Sequence, residues 1–343
     1  MRRVYDMDGV ICQNGLPKDF ATQAPIPETI AEINQQYEAG DHIIIHTARL
    51  AQDREVTKNW LKKHGVKYHE LLMGKPDADV YIDDKAIPFL PAKGPQLNRK
   101  KLAICLSGGM DSYIAYYWAI YEKGYDPEDI ICINFDIGHP YHEKEKQCLE
   151  KLDIPYTTIH LDLLREEFGN MPDEEHYIIP ARNLIFSSIA ASFGETVWIM
   201  GMKFEDHYHM LDKNSNFFKT ASFTLSQATG NPTVVETPFK HYTKTDIINW
   251  AKNFKLPHLH DTTSCYHPTK QRCGKCSLCF KRYIAMEACG LHEEFDSDPR
   301  ESDEAKRLMR VYREAYKNQD FTHYQKDRIE ETFRIMGESL PKV

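Results

Sequence analysis

Several features that mark other protein classes are missing from this sequence of 343 residues. No apolar run approaches the roughly 20 residues that a membrane-spanning helix needs. The opening segment, Met1 to Asp6, contains no apolar stretch of the kind found in signal peptides. A positive charge balance is also missing, since the formal net charge is −8 whereas a general nucleic-acid-binding protein carries a basic surface. We therefore expect a cytoplasmic protein without a membrane segment, for which nucleic acid is not a general partner.

The cysteines do not form an even, well-spread set, because there are nine of them and four lie close together. Such a distribution is typical of a metal site in a reducing compartment rather than of a disulfide framework. The spacing C-x7-C-x2-C-x2-C lets four thiolates meet one tetrahedral ion, and Gly274 permits the tight turn between them. The predicted ligands are Cys265, Cys273, Cys276 and Cys279. Zinc is the expected metal, with an iron–sulfur cluster as the alternative, and four protein ligands would make the site structural.

A phosphate-binding loop is predicted at Ser107 to Ser112, where the sequence reads Ser-Gly-Gly-Met-Asp-Ser. The apolar run Leu102 to Leu106 before it predicts a buried strand, and Tyr113 to Tyr121 after it predicts an amphipathic helix. Two adjacent glycines let the backbone turn sharply and aim successive N–H groups at one point, where the helix N-terminus and the serine hydroxyls add donors. The residue spacing and the lysine of a Walker loop are missing, so this phosphate-binding loop is of another type.

The elements that follow this loop predict a parallel sheet. Ile130 to Phe135 has the composition of a second buried strand, and the strand–helix–strand order implies a right-handed crossover. Ligands of such sheets bind beyond the carboxyl ends of the strands, so Asp136 should face the same crevice as the loop. Arg182 and Asn183 stand just before a predicted helix, Leu184 to Phe193. They are well placed there to meet a phosphate or a developing negative charge.

The first hundred residues place polar side chains at successive strand ends. In chain order these are Asp6 and Asp8, then Thr47, then Lys75, then Asp83 and Asp84. Alternate residues of an extended strand share a face, so the first two carboxylates can meet one cation and one substrate. A carboxylate attacks a phosphoryl group only if the charge on both is neutralised, and a metal and a lysine supply that neutralisation.

This order of motifs resembles that of the haloacid-dehalogenase-like phosphatases, whose four motifs are all filled here. The resemblance implies that Asp6 is the nucleophile and that Asp8 is the general acid and base. It also implies that Thr47 and Lys75 hold the phosphoryl oxygens of a phosphomonoester. The implied Mg²⁺ ligands are Asp6, Asp8, Asp83 and Asp84.

The predicted phosphatase domain has no large lid. Between its first two motifs there is room only for a loop, Gln13 to Pro27, and a helix, Glu28 to Ala39. We therefore expect the second domain or another subunit to cover the site. His46 and Arg49 are candidates for contact with the leaving group, and the alternative for Arg49 is an exposed side chain at a strand end.

The loop Ser107 to Ser112 resembles the pyrophosphate loop of ATP pyrophosphatases, which transfer AMP to a carbonyl or carboxylate. With the segments FDIGHPYHEKE, IPARNLIFSSIAAS and CGKCSLCFKR, it resembles the 7-cyano-7-deazaguanine synthases of the queuosine pathway over roughly residues 101 to 290. The resemblance implies that ATP adenylates 7-carboxy-7-deazaguanine, that ammonia makes the amide, and that a second ATP drives dehydration to the nitrile. The implied roles are pyrophosphate binding for Ser107, Gly108, Gly109, Asp111 and Ser112, contact with the reacting phosphates for Arg182 and Asn183, and the family lysine for Lys244.

One segment departs from this family. Residues Asp206 to Lys213 stand where the family carries a Tyr-Pro-Asp-Cys-Arg-type run that lines the base pocket. Asp206 and Asp212 keep carboxylates suited to a purine-like edge, but the proline, cysteine and arginine are gone. Ligation of the deazapurine-like carboxylate to a different amine therefore stays an alternative.

The prediction for the whole chain is an α/β protein with two doubly wound parallel-sheet domains, a zinc loop and C-terminal helices. The predicted domains are a haloacid-dehalogenase-like phosphatase domain at 1–98, a PP-loop domain resembling adenine nucleotide hydrolases at 99–292, and a helical appendage at 293–343. The leading hypothesis is a bifunctional enzyme that uses ATP, Mg²⁺ and Zn²⁺. The alternatives are an amide ligase with another acceptor and a non-catalytic nucleotide sensor. A homo-oligomer is compatible with each of these three hypotheses.

Overall fold

The computed structural model describes residues 1–76, 97–138, 142–161, 181–202, 211–265, 267, 272–322 and 324–342. The chain divides into two compact units, Met1–Lys93 and Gly94–Val343, which we call the N-terminal and the C-terminal unit. Each unit has its own parallel sheet and its own hydrophobic core. Within the described residues, no helix is long and apolar enough to cross a membrane.

The N-terminal unit is built on three parallel strands in the order β1-β2-β3. The middle strand carries three successive isoleucines, Ile43 to Ile45, all of them buried, as is typical of a parallel sheet that is covered on both faces. Ile33, Trp60 and Leu61 from two helices complete the core. The elements are β1 (Arg2–Tyr5), α1 (Pro27–Glu38), β2 (His42–Thr47), α2 (Arg54–Lys63) and β3 (Glu70–Met73).

The C-terminal unit has five parallel strands in the order β6-β5-β4-β7-β8. The strands are β4 (Lys100–Cys105), β5 (Ile130–Asp136), β6 (Thr157–His160), β7 (Gly194–Trp198) and β8 (Val234–Glu236). The chain moves outward from β4 to β6 and then continues on the other side of β4, which makes β4 the switch point of the sheet. In such sheets the ligand crevice lies beyond the carboxyl ends of the strands at the switch point.

Strand β4 contributes to two hydrophobic clusters, because alternate side chains of a strand point to opposite faces. Leu102 and Ile104 join the cluster on one face, and Ala103 joins the cluster on the other. Gly194 on the neighbouring strand has no room for a Cβ atom, which would lie 2.6 Å from the Ala103 Cβ. The helices are α3 (Met110–Tyr121), α4 (His142–Leu149), α5 (Arg182–Ala190), α6 (Ser215–Thr229), α7 (Lys244–Asn253) and α8 (Ser277–Ala288).

Two further helices, α9 (Asp303–Lys317) and α10 (Lys326–Met336), pack against α8. Their apolar side chains form one cluster with Phe280 and Ile284 of α8. The Ser302 hydroxyl caps α9 by accepting a hydrogen bond from the Ala305 N–H at 3.0 Å. The charged C-terminal stretch is therefore folded onto the C-terminal unit.

One expectation for the N-terminal unit needs correction. The strand expected to run through both aspartates ends at Tyr5, because the N–H groups of Val10, Ile11 and Cys12 turn back to the carbonyl oxygen of Met7. Asp6 and Asp8 therefore lie on a tight loop after the strand. The apolar residues Val80 to Ile82 predict a further strand, which lies outside the described residues. Strand β3 was not predicted from the sequence.

Candidate functional site

The predicted phosphate loop lies directly beyond the carboxyl end of β4, at the switch point of the C-terminal sheet. Gly108 adopts a φ of 68°, and a Cβ atom there would lie 3.0 Å from the carbonyl oxygen of Glu145. The Ser112 hydroxyl accepts a hydrogen bond from the Ser107 N–H at 3.2 Å and donates one to the carbonyl oxygen of Gly109 at 3.1 Å. These bonds hold the loop closed at the N-terminus of α3, where unpaired N–H groups favour an anion.

Lys244 reaches this loop from a distant part of the chain. Its ammonium group lies 3.0 Å from the Asp111 carboxylate, and the two residues are 133 positions apart in sequence. Lys244 is the first residue of α7, which Thr243 caps by accepting a hydrogen bond from the Asp246 N–H. The other carboxylate oxygen of Asp111 is buried without a hydrogen-bond partner in the described part of the chain. The loop and Lys244 therefore form one site.

A cavity of about 290 Å³ opens beside the loop. Phe135 and Phe186 form part of its wall and stack with ring centroids 4.3 Å apart and an interplanar angle of 4°. The polar lining residues include Ser107, Asp111, Ser112, Asn134, His142, Glu145, Arg182, Asn183, Lys213 and Lys244. The cavity thus combines a flat apolar wall with several polar groups, which is the usual composition of a small-molecule site.

Arg182 and Asn183 begin helix α5 and both line the cavity. Ala181 before them adopts a φ of 58°, a left-handed conformation that is uncommon for a residue with a side chain. The buried Asn183 amide donates to the carbonyl oxygen of Asp212 at 3.1 Å. Arg182 is therefore placed to meet a ligand, while Asn183 holds a neighbouring segment in place. Of the departing segment 206–213, residues 206–210 lie outside the described residues.

Asp136 lies beside the cavity rather than in its lining. Its carboxylate accepts hydrogen bonds from the Gly138 N–H at 2.9 Å and pairs with His160 Nδ1 at 2.9 Å. His142, which does line the cavity, lies 3.3 Å from the same carboxylate. Burial by itself raises the pKa of Asp136, but these partners lower it below the usual value. The structure therefore gives this side chain the role of anchoring the imidazole of His142.

Glu145 is a cavity residue that the sequence did not single out. It lies on α4 one turn after His142, and among the described residues its carboxylate makes no hydrogen bond or ion pair. Burial raises its pKa to about 8, although the charge of Arg182 opposes this effect. The motif HEKE contains no spacing that distinguishes this carboxylate from its exposed neighbour Glu143.

The four predicted metal ligands meet at one point. The sulfur atoms of Cys265, Cys273, Cys276 and Cys279 are buried and lie within 4.8 Å of one another. The Lys275 N–H donates to the Cys273 sulfur at 3.2 Å. Hydrogen bonds from the neighbouring thiols, Cys273 first, lower the pKa of Cys265. Four thiolates at this separation suit a tetrahedral metal ion or an iron–sulfur cluster, and they leave no position for a substrate.

The turn inside this cysteine loop requires glycine. Gly274 has a φ of 71°, and a Cβ atom there would lie 1.8 Å from the carbonyl oxygen of Ser297. A buried ion pair supports the loop from behind: the Arg282 guanidinium contacts the Glu293 carboxylate through two bonds of 2.6 Å. Arg282 also donates to the hydroxyl of Thr262 and to the carbonyl oxygen of Leu259. Residues on both sides of the cysteine cluster are therefore tied to α8.

In the N-terminal unit, four of the predicted phosphatase residues lie together. The Lys75 ammonium is 2.7 Å from the Asp6 carboxylate, and the Thr47 hydroxyl is 3.5 Å from the Asp8 carboxylate. The Lys75 N–H also bonds to the carbonyl oxygen of Thr47 at 2.9 Å. Asp83 and Asp84, the remaining predicted Mg²⁺ ligands, lie outside the described residues.

Arg49 is buried, so the interpretation of an exposed side chain at a strand end is wrong, whereas its contact with a leaving group stays a prediction. Its side chain is 1% exposed and binds Asp8 through two hydrogen bonds of 2.7 and 2.8 Å. Its guanidinium also lies 4.0 Å from the centre of the Phe20 ring. Burial alone would raise the pKa of Asp8, but the bonds and charge of Arg49 lower it. Arg49 therefore fixes the position of Asp8.

A parallel sheet with a glycine-turned loop at its switch point and a cluster of four cysteines that could hold a metal define a nucleotide-binding α/β protein. Residues 101–290 match the family described as Queuosine biosynthesis protein QueC. The chain belongs to this family. The residues before position 101, which include Asp6, Asp8 and Thr47, lie outside the match.

Individual relatives agree with this family. The 7-cyano-7-deazaguanine synthase of Campylobacter fetus subsp. fetus is 32% identical over 58% of this chain and 97% of its own length. That of Sulfolobus acidocaldarius is 28% identical over 64% of this chain and 52% of its own length, so the chain spans about half the length of that relative. The solved U34-tRNA thiolase NcsA from Methanococcus maripaludis is 16% identical, with a TM-score of 0.34 over 71% of this chain and 74% of its own.

Proposed function

We propose that the C-terminal unit is an ATP-dependent carbon–nitrogen ligase that converts the carboxylate of 7-carboxy-7-deazaguanine to an adenylate and transfers the acyl group to ammonia. The observation that carries this proposal is that the glycine loop, the Asp111–Lys244 pair and Arg182 line one cavity. Membership of the QueC family over residues 101–290 supports the same chemistry. The stacked rings of Phe135 and Phe186 offer a flat wall that suits a planar base.

The loop N–H groups would hold the β- and γ-phosphates of ATP while a carboxylate oxygen of the substrate attacks the α-phosphorus. Pyrophosphate leaves, and the positive charges of Lys244 and Arg182 offset the negative charge that develops. The substrate carboxylate becomes reactive because its oxygen now belongs to AMP, a good leaving group. Ammonia replaces AMP to give the amide, and a second ATP activates the amide oxygen so that loss of AMP leaves the nitrile.

A product assay tests this proposal. The full-length protein with ATP, Mg²⁺, ammonia and 7-carboxy-7-deazaguanine should release AMP and pyrophosphate and form the nitrile, detected by mass spectrometry. Replacing Lys244→Met should slow AMP release by about 10²-fold or more, since it removes a charge from the transition state. Lys123→Met, an exposed change beyond the opposite end of α3, is the control. No substrate-dependent AMP would contradict the proposal, and AMP without nitrile would favour a ligase with a different acceptor.

We also propose that the N-terminal unit is a Mg²⁺-dependent phosphatase acting on a phosphomonoester. The proposal is supported by the contacts of Asp6 with Lys75 and of Asp8 with Thr47. Carboxylate oxygens are the ligands that Mg²⁺ prefers, and Asp6 and Asp8 would supply the first two. The ion would lower the charge repulsion between the nucleophile and the phosphoryl group. A cover from the second domain or another subunit, and a homo-oligomer, stay predictions.

Hydrolysis of p-nitrophenyl phosphate tests the phosphatase. The full-length protein should release p-nitrophenol with Mg²⁺ but not with a chelator, and Asp6→Asn should reduce release to background because the nucleophile is lost. Asp19→Asn, outside the site in the same unit, should keep the activity. Equal rates for the wild-type protein and Asp6→Asn would assign the hydrolysis to another group.

We propose zinc as the metal of the four-cysteine site. The donor set is all sulfur, and no position is left for a substrate, so the ion would brace the loop rather than take part in the reaction. Elemental analysis of the purified protein should give about one zinc per chain. Iron with a visible charge-transfer absorption would instead identify an iron–sulfur cluster.

A further inference from the structure

We propose that Glu145 accepts the proton that ammonia loses when it attacks the substrate adenylate. This inference rests on the proposed ligase function and assigns one step of it to a side chain. It concerns the transfer of the acyl group to nitrogen and leaves the formation of the adenylate to the loop, Lys244 and Arg182.

The position of α4 brings Glu145 to the cavity beside the phosphate loop. The backbone of Glu145 lies so close to the loop that a Cβ atom on Gly108 would be 3.0 Å from its carbonyl oxygen. Its side chain lines the same cavity as Ser107 and Asp111. A substrate adenylate formed in this cavity would therefore be enclosed by the lining to which the Glu145 side chain belongs.

A proton acceptor needs a carboxylate that is not already engaged by another charged group, and Glu145 meets this requirement among the described residues. Two carboxylates line the cavity among the described residues, Asp111 and Glu145. Asp111 is already paired with the Lys244 ammonium group at 3.0 Å. Glu145 makes no hydrogen bond or ion pair in the described part of the chain, so its oxygens can face the incoming nitrogen.

The charged groups around Glu145 set the pH range in which it can act. Burial raises its pKa to about 8, Arg182 opposes this effect and the negative charge of Asp136 adds to it. His142 on the same helix lies against Asp136, and Lys213 and Lys244 come from other segments of the lining. A base whose pKa lies near the working pH both accepts and releases a proton readily.

The proposed step balances as follows. The nitrogen lone pair forms the C–N bond, and the C–O bond to AMP breaks with its electron pair leaving on the AMP oxygen. The nitrogen gives one proton to the ionised Glu145 carboxylate, so that a neutral amide forms. Glu145 then releases this proton to water, and no oxidant or further reactant is required.

Two measurements on the full-length protein separate this step from the adenylation. Exchange of labelled pyrophosphate into ATP reports adenylate formation, and trapping with hydroxylamine reports transfer to nitrogen. Replacing Glu145→Gln should slow hydroxamate formation by about 10²-fold or more, the typical contribution of a general base. It should slow exchange far less. Glu143→Gln, an exposed change on the same helix, should alter neither rate.

The pH profile gives a second readout. With hydroxylamine, which stays neutral over this range, hydroxamate formation by the wild-type protein should rise with pH and level off above about 8, following the ionisation of Glu145. Glu145→Gln should lose this limb. Equal loss of exchange and hydroxamate formation, or an unchanged profile in Glu145→Gln, would overturn the inference. Absence of exchange in the wild-type protein would instead overturn the proposed ligase function.

Discussion

At the scale of single residues, two carboxyl groups of the C-terminal unit have pKa values shifted in opposite directions: that of Asp136 is lowered and that of Glu145 is raised. Hydrogen bonds from the Gly138 N–H and His160 keep Asp136 ionised despite its burial. Glu145 has no such donor among the described residues, and burial raises its pKa to about 8. The difference comes from hydrogen-bond donors and not from residue type, because both side chains are carboxylates with similar pKa values in water.

The raised pKa of Glu145 predicts a stability that falls as pH rises. The unfolded chain releases this proton near the ordinary glutamate pKa of 4.5, whereas the folded protein keeps it up to about pH 8. Between these values the folded state binds more protons, so increasing pH favours unfolding. Wild-type protein should therefore lose stability relative to Glu145→Gln between about pH 5 and pH 8.

Urea unfolding midpoints of the two proteins at several pH values measure this loss. Glu143→Gln provides the control for removing an exposed charge from the same helix. A difference between wild-type protein and Glu145→Gln that stays constant with pH would mean that the carboxyl titrates alike in both states.

At the scale of elements, the buried ion pair of Arg282 and Glu293 connects α8 to the chain that follows the cysteine cluster. Arg282 reaches the chain before the cluster through Thr262 and Leu259. The two side chains are 1% and 0% exposed. Breaking a buried pair by removing one charge costs more than the pair contributes, since the other charge is left without its partner. The pair therefore helps to hold the segment that carries the four cysteines against α8.

Replacing Glu293→Gln should lower the free energy of unfolding by roughly 3 kcal/mol, because the guanidinium stays buried without a counter-charge. It should also speed the release of metal to a chelator, since the loop is no longer tied to α8. Urea unfolding and a colorimetric zinc assay measure the two effects. Glu294→Gln changes the exposed neighbour and should have little effect on either. Metal release at the wild-type rate would show that the loop does not depend on this pair.

Elements with a long apolar run could be predicted from the sequence, and short ones could not. The predicted strand Ile130 to Phe135 corresponds to β5, and the predicted helix Tyr113 to Tyr121 lies within α3. Strand β3 has four residues with only Leu71 buried, so no alternation marks it, and its pairing with β2 makes it a strand. The extended conformation there comes from the neighbouring strand rather than from local preference.

The site residues also divide into those that a local sequence pattern predicts and those that depend on distant contacts. Spacing within one short segment identified the phosphate loop and most of the cysteine cluster. Contacts between distant segments had no local pattern: Asp111 meets Lys244 across 133 positions, and Glu145 is placed by the packing of α4. Arg49 could not be understood from its position at a strand end, because its partners Asp8 and Gln23 come from an earlier loop.

At the scale of the whole molecule, each of the two units has a carboxylate–lysine pair, and we propose a different phosphate chemistry for each. The N-terminal unit has the Asp6–Lys75 pair, and the C-terminal unit has the Asp111–Lys244 pair. Both partners of each pair lie within the same unit.

The two activities should therefore respond separately to substitution. Asp6→Asn should abolish phosphatase activity and leave substrate-dependent AMP release intact, and Lys244→Met should do the reverse. Both assays on both variants, with Asp19→Asn and Lys123→Met as controls, measure the coupling. Loss of both activities from either single change would contradict independent sites.

Helix α8 connects the four-cysteine cluster with the C-terminal helices α9 and α10. Its first turn carries Cys279 of the metal cluster, while Phe280 and Ile284 are buried against α9 and α10. Because α8 contributes to both regions, the cysteine cluster and the C-terminal helices should unfold cooperatively. Removal of a metal bound by the four cysteines should then be detected in the C-terminal part of the chain as faster amide exchange in α9 and α10, which carry none of these cysteines.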